Sequence, residues 1–294
     1  MNLAALEELT VRYGKRSVLD RVSLAVSEGS VYVLVGRNGA GKSSLVRCLL
    51  GEQRPDSGRA LLLGGDAWRE RARLLREVGV VPEEPDAPPA MNARQLARFA
   101  SGLYDFWDGA GLSDRLRRFG VPEDVPFGQL SKGQKGHVLL SLALASSPRL
   151  LILDDPTLGL DPVARRAVFD ELIVDLSERG TTVFLTSHDL AGVERIADRI
   201  GLLRDGRLAV DEEMETLKQR FRRLRVTGAA GPAPEWAPAI EALRPVSARA
   251  RAWGWEAVVS AWDDDRPPSG LPGEVEVSAL TLEEIFLSLA ETPR

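Results

Sequence analysis

The chain has 294 residues, of which 44% are hydrophobic and 28% charged, and this mix excludes a disordered tail protein and a fibrous repeat. Residues 1–210 are neutral, whereas residues 211–294 carry 15 acidic and 10 basic side chains and hold the net charge of −5. No basic stripe indicates nucleic-acid binding, and the single cysteine, Cys48, excludes a disulfide framework and favours a reducing compartment. We expect no secretion signal and no membrane span, because no apolar run reaches ~18 residues.

The first part of the chain alternates strand-like and helical segments. LEELTVRY, SLAVSE and SVYVLVG predict strands, and SSLVRCLLG predicts a helix that stops at Gly51. RLLILDD (149–155) and TTVFLTSH (181–188) are apolar runs of strand length, each placed after a helical segment. This order predicts a mainly parallel sheet covered by helices. GLLRDGRLAV (201–210) predicts a hairpin that turns at Asp205-Gly206.

Two other regions differ in composition from this pattern. Between Pro82 and Pro126 the sequence predicts helices over 93–107 and 112–120 and no strand, which indicates an inserted helical subdomain. After about residue 217, FRRLRVTG, SARARAW and WEAVVSAW predict short strands and PPSGLPG (267–273) predicts a loop. LTLEEIFLSLA predicts a helix with a capping box of Thr281 and Glu284.

This C-terminal segment is therefore predicted to be a small α+β appendage. Four of the six tryptophans lie in it, namely Trp236, Trp253, Trp255 and Trp262. One interpretation is that they fill a small core, which needs large apolar groups. The alternative is that they form a surface for a partner.

GRNGAGKS (36–43) matches the pattern of a phosphate-binding loop, and it follows a predicted strand and opens a predicted helix. Its glycines let successive backbone N–H groups point at one phosphate, and the start of the helix adds a positive end. Lys42 would place a charge between the β- and γ-phosphates, and the Ser43 hydroxyl can bind Mg²⁺. Cys48 lies inside the following helix and is expected to be a small buried residue.

A second carboxylate element supports this interpretation. The strand RLLILDD ends at Asp154, and a carboxylate at a strand tip near the loop serine is placed to support a bound metal ion. The strand alone is weak evidence, but together with the loop it indicates a nucleotide-hydrolysing site.

LSKGQKGHVLLSLALASSPRLLILDDPTLGLDP (130–162) resembles the signature region of the ATP-binding cassette (ABC) family. The resemblance covers roughly residues 3–210. Its motifs follow in order: Tyr13, the loop at 36–43, Ser131-Lys132-Gly133-Gln134, Asp154-Asp155, Leu160-Asp161 and His188. The form LSKGQK, the preceding LYDFW and the tail SALTLEEIFLSLA look like bacterial exporter-type ABC ATPases.

The resemblance implies an α/β fold, the P-loop NTPase fold of ABC ATPases. This fold has a mainly parallel sheet core, an antiparallel β subdomain and a helical subdomain, here at about 83–147. Residues 1–217 would form the ATPase domain and residues 218–294 a C-terminal accessory domain. The resemblance also implies ATP with Mg²⁺ and a head-to-tail homodimer or heterodimer. The subunit would act with a separate transmembrane permease, peripherally on the cytoplasmic face of the membrane, driving transport and more specifically export.

The match to the family's motifs implies roles for individual residues. The phosphates would be held by Gly36, Asn38, Gly39, Ala40, Gly41, Lys42, Ser43 and Ser44. The γ-phosphate on the partner subunit would be reached by Ser131, Gly133 and Gln134. The metal ligands would be Ser43, Glu83 and Asp154. The catalytic residues would be Asp155, His188 and Lys42.

Several of these assignments have alternatives. Tyr13 would stack on adenine, or else it is a strand aromatic packed in a core. His188 would hydrogen-bond the γ-phosphate, or else it is an ordinary strand-end residue. Lys132 replaces a family glycine and is interpreted as a solvated charge rather than a contact to the partner's nucleotide. Asp161 would lie at the dimer seam, and His137 is expected to be structural.

Two departures from the family pattern bear on the rate of hydrolysis. Asp155 stands where the family usually has Glu, so the base is shorter by one methylene, roughly 1.5 Å, and a misplacement of about 1 Å can cost on the order of 10²-fold in rate. Glu83 stands where the family usually has Gln, which removes amide donors and adds a negative charge. It would alter metal dependence, unless it merely occupies a solvated loop.

The leading interpretation is an ABC transporter ATPase. The alternative is a nucleotide-dependent switch that hydrolyses ATP too slowly to pump, which Asp155 and Glu83 motivate. A soluble ABC ATPase of translation or DNA repair fits less well, because this chain has one cassette and no sustained heptads.

Overall fold

The computed structural model describes residues 1–227, 241–264 and 274–291. The chain folds into two compact units, Met1–Asp211 and Glu212–Arg294. The assignment of 1–217 and 218–294 as functional domains stays a prediction. Trp236 and the predicted loop at 267–273 lie outside the described residues.

The first unit contains a four-stranded antiparallel sheet. Its strands are β1 (Asn2–Tyr13), β2 (Arg16–Ser27), β4 (Ser57–Leu62) and β5 (Gly65–Asp66). They lie in the order β2-β1-β4-β5, and β1 pairs antiparallel with both of its neighbours. The β1–β2 hairpin turns so tightly that Tyr13 lies opposite Arg16. The antiparallel β subdomain that the resemblance implies is therefore present.

A six-stranded sheet forms the centre of the first unit. Its strands are β3 (Val31–Gly36), β6 (Val78–Val81), β7 (Leu150–Asp154), β8 (Thr182–Ser187), β9 (Arg199–Arg204) and β10 (Arg207–Glu213). They lie in the order β10-β9-β3-β8-β7-β6. The predicted parallel sheet is confirmed, because the pairs β3–β8, β3–β9, β6–β7 and β7–β8 are all parallel. The predicted two-residue turn is also confirmed, with φ of 51° at Asp205 and 76° at Gly206.

The central strands place the functional residues at one edge of this sheet. Strands β3 and β8 are buried along their whole length, as in sheets covered on both faces. Val35 is paired with Ser187, and Asp154 with Thr186, so β3, β7 and β8 end side by side. The residues that follow these carboxyl ends therefore meet in one crevice.

Helices cover the sheet and continue the chain from its strands. In the first unit they are α1 (Lys42–Leu49), α2 (Arg71–Leu74), α3 (Ala93–Ser101), α4 (Gly109–Arg118), α5 (Lys132–Ala145), α6 (Pro162–Arg179) and α7 (Leu190–Val193). Helix α6 is capped by Asp161, whose Oδ1 accepts the N–H groups of Val163 and Ala164 at 2.9 Å each. This N-cap fixes the direction in which α6 leaves the sheet edge.

Helices α3, α4 and α5 form the predicted helical insertion and share one apolar core. The buried residues of this core are Ala93, Leu96, Leu112, Leu116, Val121, Phe127, Leu130, Val138 and Ala145. The single helix predicted over 93–107 is wrong beyond Ser101, and α4 begins at Gly109, earlier than the predicted 112. A separate helix starts here because Asp108 caps it, with its Oδ1 accepting the N–H of Gly111 at 2.8 Å.

The second unit is an α+β structure, as predicted. Within its described residues the elements are α8 (Met214–Arg220), β11 (Arg222–Thr227), β12 (Pro245–Arg251), β13 (Gly254–Val259), β14 (Glu274–Ala279) and α9 (Leu282–Glu291). The strands form an antiparallel sheet in the order β12-β13-β11-β14. The predicted capping box is confirmed, because Thr281 Oγ1 accepts the N–H of Glu284 at 3.2 Å and Glu284 Oε2 accepts that of Thr281 at 2.8 Å.

The tryptophans of the second unit divide between core and surface. Trp262 packs against a small cluster of Leu224, Leu243 and Val259, as the core interpretation expects. Trp253 is 42% exposed, so that interpretation is wrong for this residue.

Candidate nucleotide-binding site

The phosphate-binding loop joins β3 to α1 and depends on glycine at close approaches. Gly41 has φ of 111°, and a Cβ there would lie 2.7 Å from Leu19 Cδ2 and 2.9 Å from the carbonyl oxygen of Val18. A Cβ at Gly36 would lie 2.6 Å from the carbonyl oxygen of Leu203. No larger residue fits at either position, so the loop curls as the motif predicts.

Lys42 is buried at the start of α1 and is held by the loop itself. Its Nζ donates a hydrogen bond to the carbonyl oxygen of Gly36 at 2.8 Å. Burial lowers the pKa of Lys42, and the negative charges of Asp155, Asp154 and Glu83 oppose this effect. The ammonium group is therefore positioned inside the loop, where an incoming phosphate meets it.

Thr186, on β8, organises the two carboxylates at the end of β7, and no sequence motif pointed to it. Its Oγ1 donates to Asp154 Oδ1 at 2.6 Å and accepts the N–H of Asp155 at 3.0 Å. The carbonyl oxygen of Thr186 accepts the same N–H at 3.1 Å. The available signal was a polar residue near the tip of an otherwise apolar strand.

Asp155 is nearly fully buried, at 3% exposure, and faces His188. Its Oδ2 lies 3.1 Å from His188 Nε2, at ion-pair distance, yet it has no aligned hydrogen-bond donor within the described residues. Burial raises the pKa of Asp155, and the charges of His188 and Lys42 oppose the rise. Its φ of 48° lies in the left-handed region, which is uncommon for a residue with a side chain.

These residues line one cleft of about 400 Å³. The predicted residues on its wall are Asn38, Gly39, Gly41, Lys42, Ser43, Ser44, Glu83, Asp154, Asp155 and His188. Gly36 and Ala40 belong to the loop that shapes it. Three further wall residues were not predicted, namely Arg16, Val18 and Leu158. The position of Glu83 on the wall argues against a merely solvated loop residue.

Tyr13 lies at the end of β1, and its hydroxyl is held on three sides. The hydroxyl donates to Gln53 Oε1 at 2.7 Å, accepts from Arg47 Nη2 at 3.2 Å and lies 3.4 Å from Ser44 Oγ. Hydrogen bonding with Ser44 is the main cause of the lowered pKa of Tyr13. The side chain is 49% exposed, which excludes the alternative of a core aromatic.

The signature residues lie apart from this cleft. Ser131 caps α5, because its Oγ accepts the N–H of Gln134 at 3.2 Å while Gln134 Oε1 accepts the N–H of Ser131 at 3.0 Å. Ser131, Gly133 and Gln134 are not on the cleft wall. Lys132 Nζ donates to Glu84 Oε1 at 3.1 Å, so Lys132 is a paired charge rather than a free one.

His137 and Cys48 are buried away from the cleft, as expected of structural residues. The His137 ring stacks on Phe119 with a centroid distance of 4.1 Å. Burial lowers the pKa of His137 and raises that of Cys48 to about 11.

The described residues contain no group of three or more His, Cys, Asp or Glu side chains that could hold a metal ion. A metal ion at Ser43, Glu83 and Asp154 would therefore depend on oxygen ligands from a nucleotide. Likewise, no helix in the described ranges combines the length and the apolar character that a bilayer crossing requires.

Comparison with known proteins gives consistent matches. Residues 19–158 match the family model described as ABC transporter. The chain is 32% identical to the bacitracin transport ATP-binding protein BcrA of Bacillus licheniformis, over 74% of this chain and 71% of that protein. It is 34% identical to the Nod factor export ATP-binding protein I of Burkholderia thailandensis, over 96% and 95% of the two chains. A solved ATP-binding subunit of an ABC transporter aligns with a TM-score of 0.67 at 27% identity, covering 74% of this chain and 92% of that one.

The fold and the cleft define a P-loop ATPase. The chain belongs to the ABC transporter family, in which it is an ATP-binding, ATP-hydrolysing subunit. The predicted family, fold class and ATPase activity are thereby confirmed.

Proposed function

We propose that the cleft binds ATP with Mg²⁺ and that hydrolysis there drives export through a separate permease. The observation that carries this assignment is the convergence of Lys42, Asp154 and Asp155 on one wall. The export direction rests on the Nod factor relative, whose name describes export and which aligns over 95% of its length.

Binding begins at the loop and at Tyr13. The backbone N–H groups of 36–43 and the Nζ of Lys42 would hold the phosphates, while the fixed ring of Tyr13 would stack on adenine. A ring already held by Gln53 and Arg47 loses little freedom on stacking, which favours binding.

The residues on the wall suit Mg²⁺, since all three predicted ligands are oxygen donors: Ser43, Glu83 and Asp154. When bound, the ion supplies charge neutralisation for the phosphates. The hydrogen bond from Thr186 to Asp154 Oδ1 fixes the orientation of that carboxylate before the ion arrives.

Asp155 is the proposed base. Its Oδ2 lacks an aligned donor and could accept a hydrogen bond from the attacking water. Burial raises the pKa of Asp155 and so makes it a stronger proton acceptor. His188, at 3.1 Å, would steady this carboxylate and reach the γ-phosphate.

The position of the signature residues supports a dimer. Ser131, Gly133 and Gln134 are absent from the cleft of their own chain, yet Ser131 opens a helix whose N-terminus suits an anion. We assign these residues to the nucleotide of a second ATPase subunit, packed head to tail, with Asp161 at the seam.

Exposed apolar side chains in the helical insertion suit a contact with the permease. Phe99, Leu103 and Phe106 lie within eight residues of one another and are all more than half exposed. Grouped exposed apolar side chains of this kind typically mark a protein contact. A subunit that contacts the permease through these side chains would lie peripherally, on the cytoplasmic face of the membrane.

The dimer assignment is tested with Asp155→Asn, which keeps the shape of the base and removes its charge. We expect this variant to bind ATP without hydrolysing it and to elute as a dimer in light-scattering chromatography with ATP. Adding Ser131→Arg should return it to a monomer, whereas Ser177→Arg, at the exposed end of α6, should not. If Asp155→Asn stays a monomer with ATP, both alone and combined with Ser177→Arg, the dimer assignment is contradicted.

A second candidate is a slow nucleotide switch on a membrane complex. Two observations favour it: Asp155 is one methylene short of the family's usual base, and Glu83 adds a carboxylate to the cleft wall. Steady-state ATPase measured with the co-expressed permease separates the two functions, because a switch would stay slow when coupled to its partner.

A further inference from the structure

Arg16 opens strand β2 at the mouth of the cleft. Arg16 and Val18 are two residues apart on this strand, so their side chains leave the same face, and both line the cleft. Leu19, on the opposite face, is fully buried. The carbonyl oxygen of Val18 would be 2.9 Å from a Cβ at Gly41, which places β2 directly against the phosphate loop.

The cleft wall carries more carboxylates than lysine and arginine side chains, and Arg16 is one of these cations. Glu83, Asp154 and Asp155 contribute three carboxylates, and the nucleotide adds further negative charge. Lys42 is the other ammonium or guanidinium group on the wall, and its Nζ already contacts the carbonyl of Gly36. The two cations must therefore offset a strongly negative site when a polyphosphate enters.

The Arg16 guanidinium is free to bind an anion. Its side chain is exposed and makes no ion pair or hydrogen bond within the described part of the chain. Two other cations of this region, Arg207 and Arg21, are by contrast both at ion-pair distance from Asp20. A planar guanidinium with unused donors suits phosphate oxygens, because it can donate two parallel hydrogen bonds to them.

The hairpin fixes which end of the nucleotide Arg16 faces. Tyr13, the proposed adenine contact, lies beside the cleft wall and directly opposite Arg16 in the β1–β2 pairing, so the two residues are neighbours. Asp155 and His188, which would act on the γ-phosphate, come instead from the ends of β7 and β8. Arg16 is thus placed towards the adenine end rather than towards the reacting phosphate.

We propose that Arg16 is a nucleotide-binding residue that donates hydrogen bonds to phosphate oxygens shared by ATP and ADP. This inference rests on the proposed assignment of the cleft as the ATP site and of Tyr13 as its adenine contact. Arg16 then supplies the second positive charge that the additional carboxylate of Glu83 makes necessary.

The test compares wild type with Arg16→Gln, Arg16→Lys and Lys15→Gln in titrations with ATP and with ADP, without Mg²⁺. Lys15 is the matched control, since it is an exposed cation next to Arg16 that does not line the cleft. We expect Arg16→Gln to weaken both nucleotides alike, by about 10-fold, as for a lost charged hydrogen bond near water. Arg16→Lys should recover part of the loss, and Lys15→Gln should match wild type.

The outcomes distinguish the role of Arg16 from the assignment of the cleft as the ATP site. Unchanged affinity of Arg16→Gln, in a preparation whose wild type binds ATP, would overturn the role of Arg16 alone. A loss confined to ATP would also overturn it, because the contact would then be to the γ-phosphate. A wild type that binds neither nucleotide would overturn the assignment of the cleft and the role of Arg16 with it.

Discussion

Glu171 on α6 is a buried carboxylate that connects α6 to helix α4 of the helical insertion. It accepts a hydrogen bond from Arg115 Nε at 2.9 Å and from Arg118 Nη2 at 2.7 Å, both from α4. The Glu171 and Arg115 side chains are 7% and 6% exposed, whereas Arg118 is 55% exposed. The change that isolates this pairing is Glu171→Gln, which removes the charge and keeps the volume.

The expected cost follows from the surroundings of Arg115. Leaving one partner of a buried ion pair uncompensated costs about 3–5 kcal/mol. Asp108 Oδ2 lies 3.8 Å from Arg115 Nη2 and remains as a weaker partner, so the lower end of this range applies. The loss of the contact with Arg118 adds little to this cost, because the exposed guanidinium can be hydrated instead. For a unit the size of Met1–Asp211, a loss of about 3 kcal/mol lowers Tm by about 6–12 °C.

Thermal unfolding followed by circular dichroism measures this loss. The matched control is Asp114→Asn, which breaks the exposed pair with Arg117 on the same helix and should cost less than about 1 kcal/mol. Combining Arg115→Met with Glu171→Leu removes both charges and should restore most of the stability. A Glu171→Gln protein as stable as the Asp114→Asn control would refute the claim that this ion pair holds the insertion in place.

Three further predictions concern the proposed nucleotide site. Asp155→Glu should raise steady-state phosphate release by up to about 10²-fold, because the carboxylate gains roughly 1.5 Å of reach, and an unchanged rate would show that side-chain length is not limiting. Glu83→Gln should tighten ATP binding in the absence of Mg²⁺ and shift the Mg²⁺ titration of ATPase, because it removes a repelling charge, and superimposable Mg²⁺ titrations would remove the idea. Tyr13→Ala should weaken ATP by about 1–3 kcal/mol in binding titrations and leave inorganic triphosphate unaffected, since only ATP offers a base for stacking. An equal loss for both ligands would contradict the adenine role.

The sequence allowed prediction of those parts of the site that depend on local spacing. The loop at 36–43 lies between a strand and a helix whatever the rest of the fold does. Its motif therefore predicted that Lys42 and Ser43 line one cleft. The same holds for the helix start at Ser131, because a capping box spans only four residues. Local chemistry determines these features, and the tertiary structure adds only their surroundings.

The parts that were missed depend on which strands pair and in what register. Thr186 reaches Asp154 only because β7 and β8 are neighbours with these two residues side by side. Arg16 lines the cleft only because β2 packs against the phosphate loop. Strand β14 was also missed, since Glu274 and Glu276 are exposed on it and the apolar alternation that indicates a strand is weak.

The buried ion pair gives the proposed dimer closure a mechanical consequence. Helix α5 carries Ser131 and packs in one core with α4, while α6 leads from Asp161, the residue assigned to the dimer seam. Glu171 and Arg115 bind α6 to α4, so a displacement of Ser131 towards the nucleotide of a second subunit must either carry α6 with it or break this pair. Because breaking it costs about 3 kcal/mol or more, the cheaper motion moves both seam elements together. Under this proposal the helical insertion and the seam helix would move as one body, and force from the proposed contact of Ser131 with ATP would reach the exposed side chain of Phe99.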